Sequence, residues 1–436
     1  LAAILDSTLT GVIYIMDEPT IGLHPRDTEG LIRILKDLRD LGNTVIVIEH
    51  DPEVMKEADF IADLGPGSGK HGGEVIGTGT LENIKEDPKS VTGSWLRSSK
   101  QIKTSFRQGT GELLWVRNAN LHNLKGIDVS FPVGCLTSVT GVSGSGKSTL
   151  VFDVLAKGKD SSKYREVLGT ELFDNIITVE QSPLSRMRRS NTATYTGLYT
   201  EIRKLFGGLP EAKKQGLDAK HFSFNTGGGR CEACEGLGFI TSNMLFFQDI
   251  EVICPDCGGK RFKDEILNVK YMGSNINDVL DMSVEEALVL FKDNKKAAAI
   301  LELLVEAGLG YLQLGQSITT LSGGEGQRLK LSKDLMENKG KKNLYLIDEP
   351  TTGLHPLDVE NFLKLLDKLV DAGNTVIVVE HNQQVIAYSD WVVDLGPEGG
   401  IKGGELVAEG TPREIIRNEA SITGIYLRNF EEEEIL

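Results

Sequence analysis

GVSGSGKST, residues 141–149, is the stretch on which the reading of this chain turns. It fits G-x-x-x-x-G-K-[ST], a loop whose backbone N–H groups wrap phosphates, with the lysine on the terminal phosphates and the following hydroxyl on a magnesium ion. LTSVT (136–140) ahead of it is apolar and β-rich, and TLVFDVL (149–155) behind it reads as a helix. Strand, glycine loop and helix together are the setting this pattern needs, which a flexible glycine turn would not supply. Gly141, Ser143, Gly144, Ser145, Gly146, Lys147, Ser148 and Thr149 are therefore the candidate phosphate and magnesium ligands.

Working outward, the chain contains an internal repeat. IYIMDEPTIGLHPRD (13–27) recurs as LYLIDEPTTGLHPLD (344–358), GNTVIVIEH (42–50) as GNTVIVVEH (373–381), and DLGPGSGKHGGEV (63–75) as DLGPEGGIKGGEL (394–406), each at an offset of 331 residues. Asp17 maps onto Asp348, Glu18 onto Glu349, His50 onto His381 and Thr80 onto Thr411 with no insertion. Only the second copy has a phosphate loop. In each copy an apolar run ends at Asp-Glu-Pro-Thr, a helix follows, and a second apolar run ends at histidine. Short β-rich runs alternating with amphipathic helices predict an α/β fold with a parallel-rich sheet covered by helices. LIRILKDLRDL (31–41) and NFLKLLDKLVDA (361–372) carry apolar residues at helical spacing and read as core-facing helices.

The carboxylates at the strand ends have an evident chemistry. Asp348 can complete a magnesium shell, and Glu349 can orient and deprotonate a water that attacks a phosphoryl group. His381, ending the next strand, is placed to contact the γ-phosphate or that water. A lone histidine is usually structural, but its recurrence at the same offset favours function. Asp17, Glu18 and His50 are the same set in the first copy.

LSGGEGQRLKLS (321–332) adds Ser322, Gly323 and Gly324 at a helix start whose N–H groups suit a γ-phosphate, with Glu325 in the first turn. With the phosphate loop, the Asp-Glu pairs and the histidines on the page, the chain resembles the ATP-binding cassette ATPase family. The resemblance implies two cassettes that sandwich ATP between the phosphate loop of one and the LSGGE stretch of the other. It also implies that Gln181, in VEQSP, couples magnesium to a partner element.

The 436 residues can bury more than one core, and no run of eighteen apolar residues is present. No signal peptide is visible, and a start at Leu1 reads as a chain beginning inside a larger protein. The net charge of −16 excludes a globally basic nucleic-acid coat but not a local patch. Four of the five cysteines form two pairs, Cys231 with Cys234 and Cys254 with Cys257, in CEACEGLG and CPDCGGK. Such spacing fits a closed four-thiolate zinc site of structural role in a reducing cytoplasm. Cys135, in an apolar strand, reads as core. Between Ser182 and Lys220 eight basic residues face three acidic ones. Arg186, Arg188, Arg189, Arg203 and Lys204 are candidate contacts to a phosphate backbone, with a solvated helix face as the alternative. Phe239, Phe246 and Phe247 read as hairpin packing over the metal.

EQSPLSRMRRSNTATYTG, FSFNTGGGRCEACEGLGF and DEPTTGLHPLD narrow the resemblance to the UvrA family, the damage-recognition ATPases of bacterial nucleotide excision repair. It implies ATP, Mg2+ and Zn2+ as cofactors, damaged double-stranded DNA as ligand, a homodimer, a UvrB-like partner, a cytoplasmic location and no membrane. SPLSRMRRSNT stands where the family usually has SPIGRTPRSNP, and LSGGEGQR where it has LSGGEAQR. These departures keep a paralog in play, alongside a soluble cassette of transport or drug resistance; a zinc-stabilised chaperone-type module fits CEACEGLG alone. The expected layout is the end of a first cassette (1–95), a linker (96–112), the phosphate-loop lobe of a second (113–180), an inserted signature region with the basic segment and zinc module (181–320), the signature helix and remaining lobe (321–428) and an acidic tail (429–436). Since only one phosphate loop and one LSGGE stretch are present, the isolated chain is expected to bind ATP through Lys147 but hydrolyse it weakly. The uncovered seam of residues 1–95 is expected to be sticky.

Overall fold

The computed structural model describes residues 10–67, 72–98, 101–157, 166–180, 189–242, 250–338 and 340–432. Gln181, Arg186, Arg188, Phe246, Phe247 and the end of the acidic tail lie outside them. The chain divides into two compact units, one formed by Leu1–Gln181 with Asn338–Leu436 and the other by Ser182–Glu337.

In the first unit the strands are β1 (Ile13–Asp17), β2 (Thr44–Ile48), β3 (Ile61–Gly65), β4 (Glu74–Gly79), β5 (Leu113–Ala119), β6 (Ile127–Pro132), β7 (Leu136–Gly141), β8 (Glu166–Leu168) and β9 (Asn175–Val179). In the second unit β10 (Phe239–Ser242) and β11 (Ile250–Ile253) form a hairpin. The first unit resumes with β12 (Asn343–Asp348), β13 (Thr375–Val379), β14 (Trp391–Gly396) and β15 (Glu405–Gly410). One sheet runs β15-β14-β7-β13-β12-β9. Its pairs from β14 to β9 are all parallel, and β15 closes the edge antiparallel. The expected parallel-rich sheet is thus present, and its central strands β7 and β13 are buried throughout, β13 as an apolar run, as a sheet covered on both faces requires.

One cover is the antiparallel sheet β6-β5-β8, whose Leu114, Val116, Val129 and Phe131 pack with Leu346, Ile377, Val379 and the helix residues Leu150, Val151 and Val154. The other includes the helix Pro356–Asp371, which buries Phe362, Leu363, Leu366 and Leu369 along one stripe. Proline at its start suits a helix whose first N–H would be unpaired anyway.

The first copy repeats this arrangement in part. β1 and β2 pair in parallel with the register of β12 and β13, and the helix Pro25–Asp40 buries Leu31, Leu35 and Leu38. The opposite face of this two-stranded sheet is bare. Ile13, Ile15, Ile46 and Ile48 are 64%, 69%, 46% and 51% exposed, whereas their counterparts Leu344, Leu346, Ile377 and Val379 are at most 1% exposed. The difference is one of cover: among the described residues the sheet β6-β5-β8 and the helix Thr149–Leu155 lie over the second copy, and the first has no counterpart of them.

Residues 101–112, expected as a polar linker, are tied down. Ile102 is buried beside Ile386, Val392 and Ile415, and Phe106 packs on the same cluster. Lys103 and Arg107 both pair with the buried carboxylate of Asp390, at 2.7 and 3.2 Å, and Arg107 also reaches Asp367 and Asp371. The alternation of apolar and basic residues here carried this information, but a proline and the serines of residues 85–111 dominated the reading.

In the second unit the helices Leu198–Gly208, Lys295–Glu306 and Gly323–Glu337 pack together, and a four-cysteine module stands between them in sequence. No helix among the described residues is long and apolar enough to cross a membrane.

Candidate functional site

The phosphate loop grows directly out of β7. Gly141 has a φ of 127°, and a side chain there would overlap the Leu395 carbonyl, so only glycine lets the loop leave the strand beside β14. The loop is then held by its own backbone and by its neighbours: Ser145 N–H donates to Val142 at 3.1 Å, Gly400 N–H to Gly144 at 3.0 Å and Gly404 N–H to Ser145 at 3.0 Å. Asn123 donates from its side chain to the Gly144 carbonyl.

Lys147 is buried, and its ammonium donates to the carbonyls of Gly141 and Val142, both at 3.0 Å. Burial brings its pKa down to about 8, against the pull of Glu349, Asp27 and other nearby carboxylates. Opposite it, at the ends of β12 and β13, stand the predicted carboxylates and histidine. Burial, and then the charges of Glu380 and Asp348, raise Glu349 to about 7, opposed by Lys147. Asp348 is raised as well, by burial and by Glu180. His381 Nε2 lies 3.7 Å from Glu349 Oε1, and burial, with Lys147 and His24 beside it, holds the imidazole neutral. Lys147, Asp348, Glu349 and His381 thus share one acidic, largely dry site.

Glu349 has a left-handed backbone, φ 41°, as does its counterpart Glu18. The Glu349 N–H donates to Val379 at 2.9 Å and the Glu18 N–H to Ile48 at 2.9 Å, which secures both turns to the neighbouring strand. Behind each turn a second carboxylate, absent from the sequence reading, ties it to the histidine. Glu380 accepts from the Thr351 hydroxyl at 2.7 Å and from the N–H groups of Thr351, His381 and Asn382, and Glu49 does the same for Thr20, His50 and Asp51. Both stand in the repeated sequence V-[IV]-E-H, so the 331-residue offset was a signal for them.

The two copies meet at this site. Ser143, in the phosphate loop, donates from its N–H to Asp27 and from its hydroxyl to the Gly22 carbonyl, each at 3.2 Å. Gly22 lies so close to Glu349 that a Cβ would stand 3.3 Å from the carboxylate, and Gly353 lies against Glu18 in the same way. The expected first-copy set is assembled too: His50 Nε2 is 3.9 Å from Glu18 Oε1, with Asp17 ending β1. A cavity of about 200 Å³ between the copies is lined by Glu18, His50, Glu349, His381, Trp95 and Phe430 among others.

In the second unit the signature serine and glutamate form a reciprocal cap. Glu325 N–H donates to the Ser322 hydroxyl at 3.2 Å, Ser322 N–H donates to the Glu325 carboxylate at 2.7 Å, and Tyr311 bonds the same carboxylate. Gly323 and Gly324 open the helix Gly323–Glu337.

The sulfurs of Cys231, Cys234, Cys254 and Cys257 lie within 4.8 Å of one another. Cys231 to Cys254 is 3.9 Å and Cys234 to Cys257 is 3.7 Å, close to the edge of about 3.8 Å expected for a tetrahedron with zinc–sulfur bonds of about 2.3 Å. Gly238 N–H donates to the Cys234 sulfur at 3.2 Å, as an outer-shell amide to a thiolate does. The four thiols therefore fit a structural zinc ion. Of the basic candidates, Arg189 pairs with Glu235 in the first knuckle at 2.6 Å, Lys204 pairs with Glu201, and Arg203 lies over the Tyr199 ring, its centre 5.6 Å away.

Phosphate loop, Asp-Glu strand end, histidine and parallel-rich sheet define a P-loop ATPase of the ATP-binding cassette class. The ABC transporter family profile matches residues 251–352. Beyond the class, UvrABC system protein A of Thermus thermophilus is 52% identical over 443 residues, covering 99% of this chain and 46% of that protein. Its Aquifex aeolicus relative is 49% identical over 447 residues, covering 100% and 48%. The crystal structure of UvrA2 from Deinococcus radiodurans aligns with a TM-score of 0.89 at 46% identity, over 98% of this chain and 53% of that one. The chain is a homologue of UvrABC system protein A along almost its whole length, and it spans about half the length of the curated relatives it matches.

Proposed function

We propose that this chain binds and hydrolyses ATP at residues 141–149 and, as part of a UvrA-type protein, couples that cycle to recognition of damaged double-stranded DNA in nucleotide excision repair. The observation that carries the proposal is the convergence of Lys147, Asp348, Glu349 and His381 beside the phosphate loop of a UvrA homologue. The phosphates of ATP replace the carbonyls of Gly141 and Val142 on the Lys147 ammonium and hold it charged. Ser148 and Asp348 are the residues that would hold magnesium, which when bound neutralises β- and γ-phosphate charge. Glu349 takes the proton of the attacking water as the water oxygen bonds to the γ-phosphorus and the bond to the bridging oxygen breaks. His381 orients the water or the γ-phosphate beside it.

Ser322, Gly323, Gly324 and Glu325 serve the γ-phosphate of a partner cassette, and Gln181 senses magnesium and couples ATP to a partner element. One phosphate loop and one LSGGE stretch lie in this sequence, so the isolated chain binds ATP through Lys147 and hydrolyses it weakly; a head-to-tail pairing of the second cassettes of two chains would raise turnover with protein concentration. Asp17, Glu18 and His50 act in the first cassette. The basic segment with Arg186, Arg188, Arg189, Arg203 and Lys204 tracks DNA phosphates, zinc shapes the cysteine module, and a UvrB-like partner, a homodimer and a cytoplasmic setting complete the reading.

Fluorescence anisotropy with a labelled duplex, with and without one bulky adduct, at two salt concentrations tests the DNA assignment. Tighter and steeply salt-sensitive binding to the adducted duplex is expected. No binding by folded, zinc-loaded protein at either salt overturns it and favours the transport or resistance reading.

A further inference from the structure

Two relays run across the contact between the copies, related by the 331-residue offset. His24 is 1% exposed; its Nδ1 accepts from the Arg26 N–H, so the proton sits on Nε2, which donates to the Thr423 hydroxyl at 3.3 Å. Thr423 donates to Asp394 at 3.0 Å, and the other oxygen of Asp394 accepts from Ser421 at 2.6 Å. The His24 ring stands edge-on to His381, centroids 5.9 Å apart, and to Tyr426 at 5.6 Å. In the mirror arrangement His355 meets Thr92 at 3.3 Å, Thr92 donates to Asp63 at 2.8 Å, and the His355 ring stands 6.0 Å from that of His50.

We propose that His24 is a positioning residue acting in trans: fixed by Thr423 and Asp394, it sets the ring of His381, so the GLHP segment of one copy holds the phosphate-facing histidine of the other. The inference rests on the reading of Lys147 and His381 as parts of an ATP site. Geometry favours it over simple burial. A buried histidine needs only one partner for each ring nitrogen, but here the second partner is on the other copy, and the free ring edge is spent on a second histidine that itself lies 3.7 Å from Glu349. The same three-residue relay occurring twice, at equivalent places, is an independent instance of the arrangement.

His24 also caps the helix Pro25–Asp40, so the test must separate capping from positioning. His24→Asn keeps a side-chain acceptor at the cap but cannot reach Thr423 or His381. Thr423→Val removes only the relay hydroxyl, and Thr423→Ser restores it. The measurement is the ratio of dissociation constants for ADP and a non-hydrolysable ATP analogue with Mg2+, by calorimetry on the full chain, with the melting temperature of each variant alongside. The expected result is a fall of about fivefold in the preference for the triphosphate in His24→Asn and Thr423→Val, with ADP affinity unchanged and Thr423→Ser like the parent. A parental preference kept in both variants overturns the proposal while leaving the ATP site intact. Loss of ADP affinity in step with melting temperature overturns it in favour of a structural cap. If Lys147→Ala leaves nucleotide binding untouched, or the parent does not distinguish the two nucleotides, the underlying reading fails and takes the proposal with it.

Discussion

Glu349 shows how much is asked of one side chain. In the proposed reaction it must be ionised to take a proton from water, yet burial and two neighbouring carboxylates hold it at about 7, against an ordinary 4.5. A carboxyl raised in this way favours the folded state fully below its ordinary value, and that contribution is lost as pH rises through about 7. Glu349→Gln has no such loss. In nucleotide-free protein its melting temperature should gain on the parent between pH 6 and pH 8.5, the difference corresponding to at most about 1.4 kcal/mol. An offset that is the same at both values refutes the assignment. As the proposed base, the same group should make ATP turnover rise with pH as its carboxyl ionises. The motif residues around it were legible because their chemistry depends on residue type and spacing. His24, Thr423 and Asp394 were not singled out, although His24 lies in the quoted GLHP repeat and Asp394 in DLGP, because a relay across the copies depends on which repeats meet in space.

At the scale of elements, the two cysteine knuckles form a second, smaller repeat. Cys231 and Cys234 map onto Cys254 and Cys257 at an offset of 23 residues. Cys231 N–H donates to Arg261 and Cys254 N–H to Gly238, both at 2.9 Å, and these acceptors are related by the same offset. Glu235 and Gly258, at φ 50° and 55°, make the same left-handed turn after the second cysteine of each pair. Folding of this module depends on drawing four thiolates together, so one zinc per chain is expected by native mass spectrometry. Cys254→Ser should lose the metal and expose the segment 229–262 to proteolysis; a protease-resistant, metal-free variant would mean that the thiols simply pack. Cysteine spacing announced the module, and its two-fold character was hidden because Glu235 and Gly258 share a conformation rather than a residue type.

For the whole molecule, the contrast between the copies matters more than their likeness. β1 and β2 carry an apolar face that in the second copy is core, and β2 has no further strand beside it among the described residues. Exposed apolar strips next to an open strand edge associate. Sedimentation velocity should show self-association that grows with concentration without nucleotide, and Ile46→Lys should reduce it with little change in melting temperature. Undiminished association in that variant would place the contact elsewhere. The sequence reading expected a sticky seam in residues 1–95, because only the second copy has a phosphate loop, but it did not name the isoleucines that form it. It did not show that residues 101–112 are firmly docked, because a cation's buried partner, here Asp390, is 283 or more residues away.

That docking has a mechanical side. Asp390, which clasps Lys103 and Arg107, also accepts the N–H of Leu136 at 3.0 Å, the first residue of the strand whose far end becomes the phosphate loop. A tug on the segment joining the copies is therefore delivered to the root of that strand, a stiff rod one end of which is the strap and the other the nucleotide cradle.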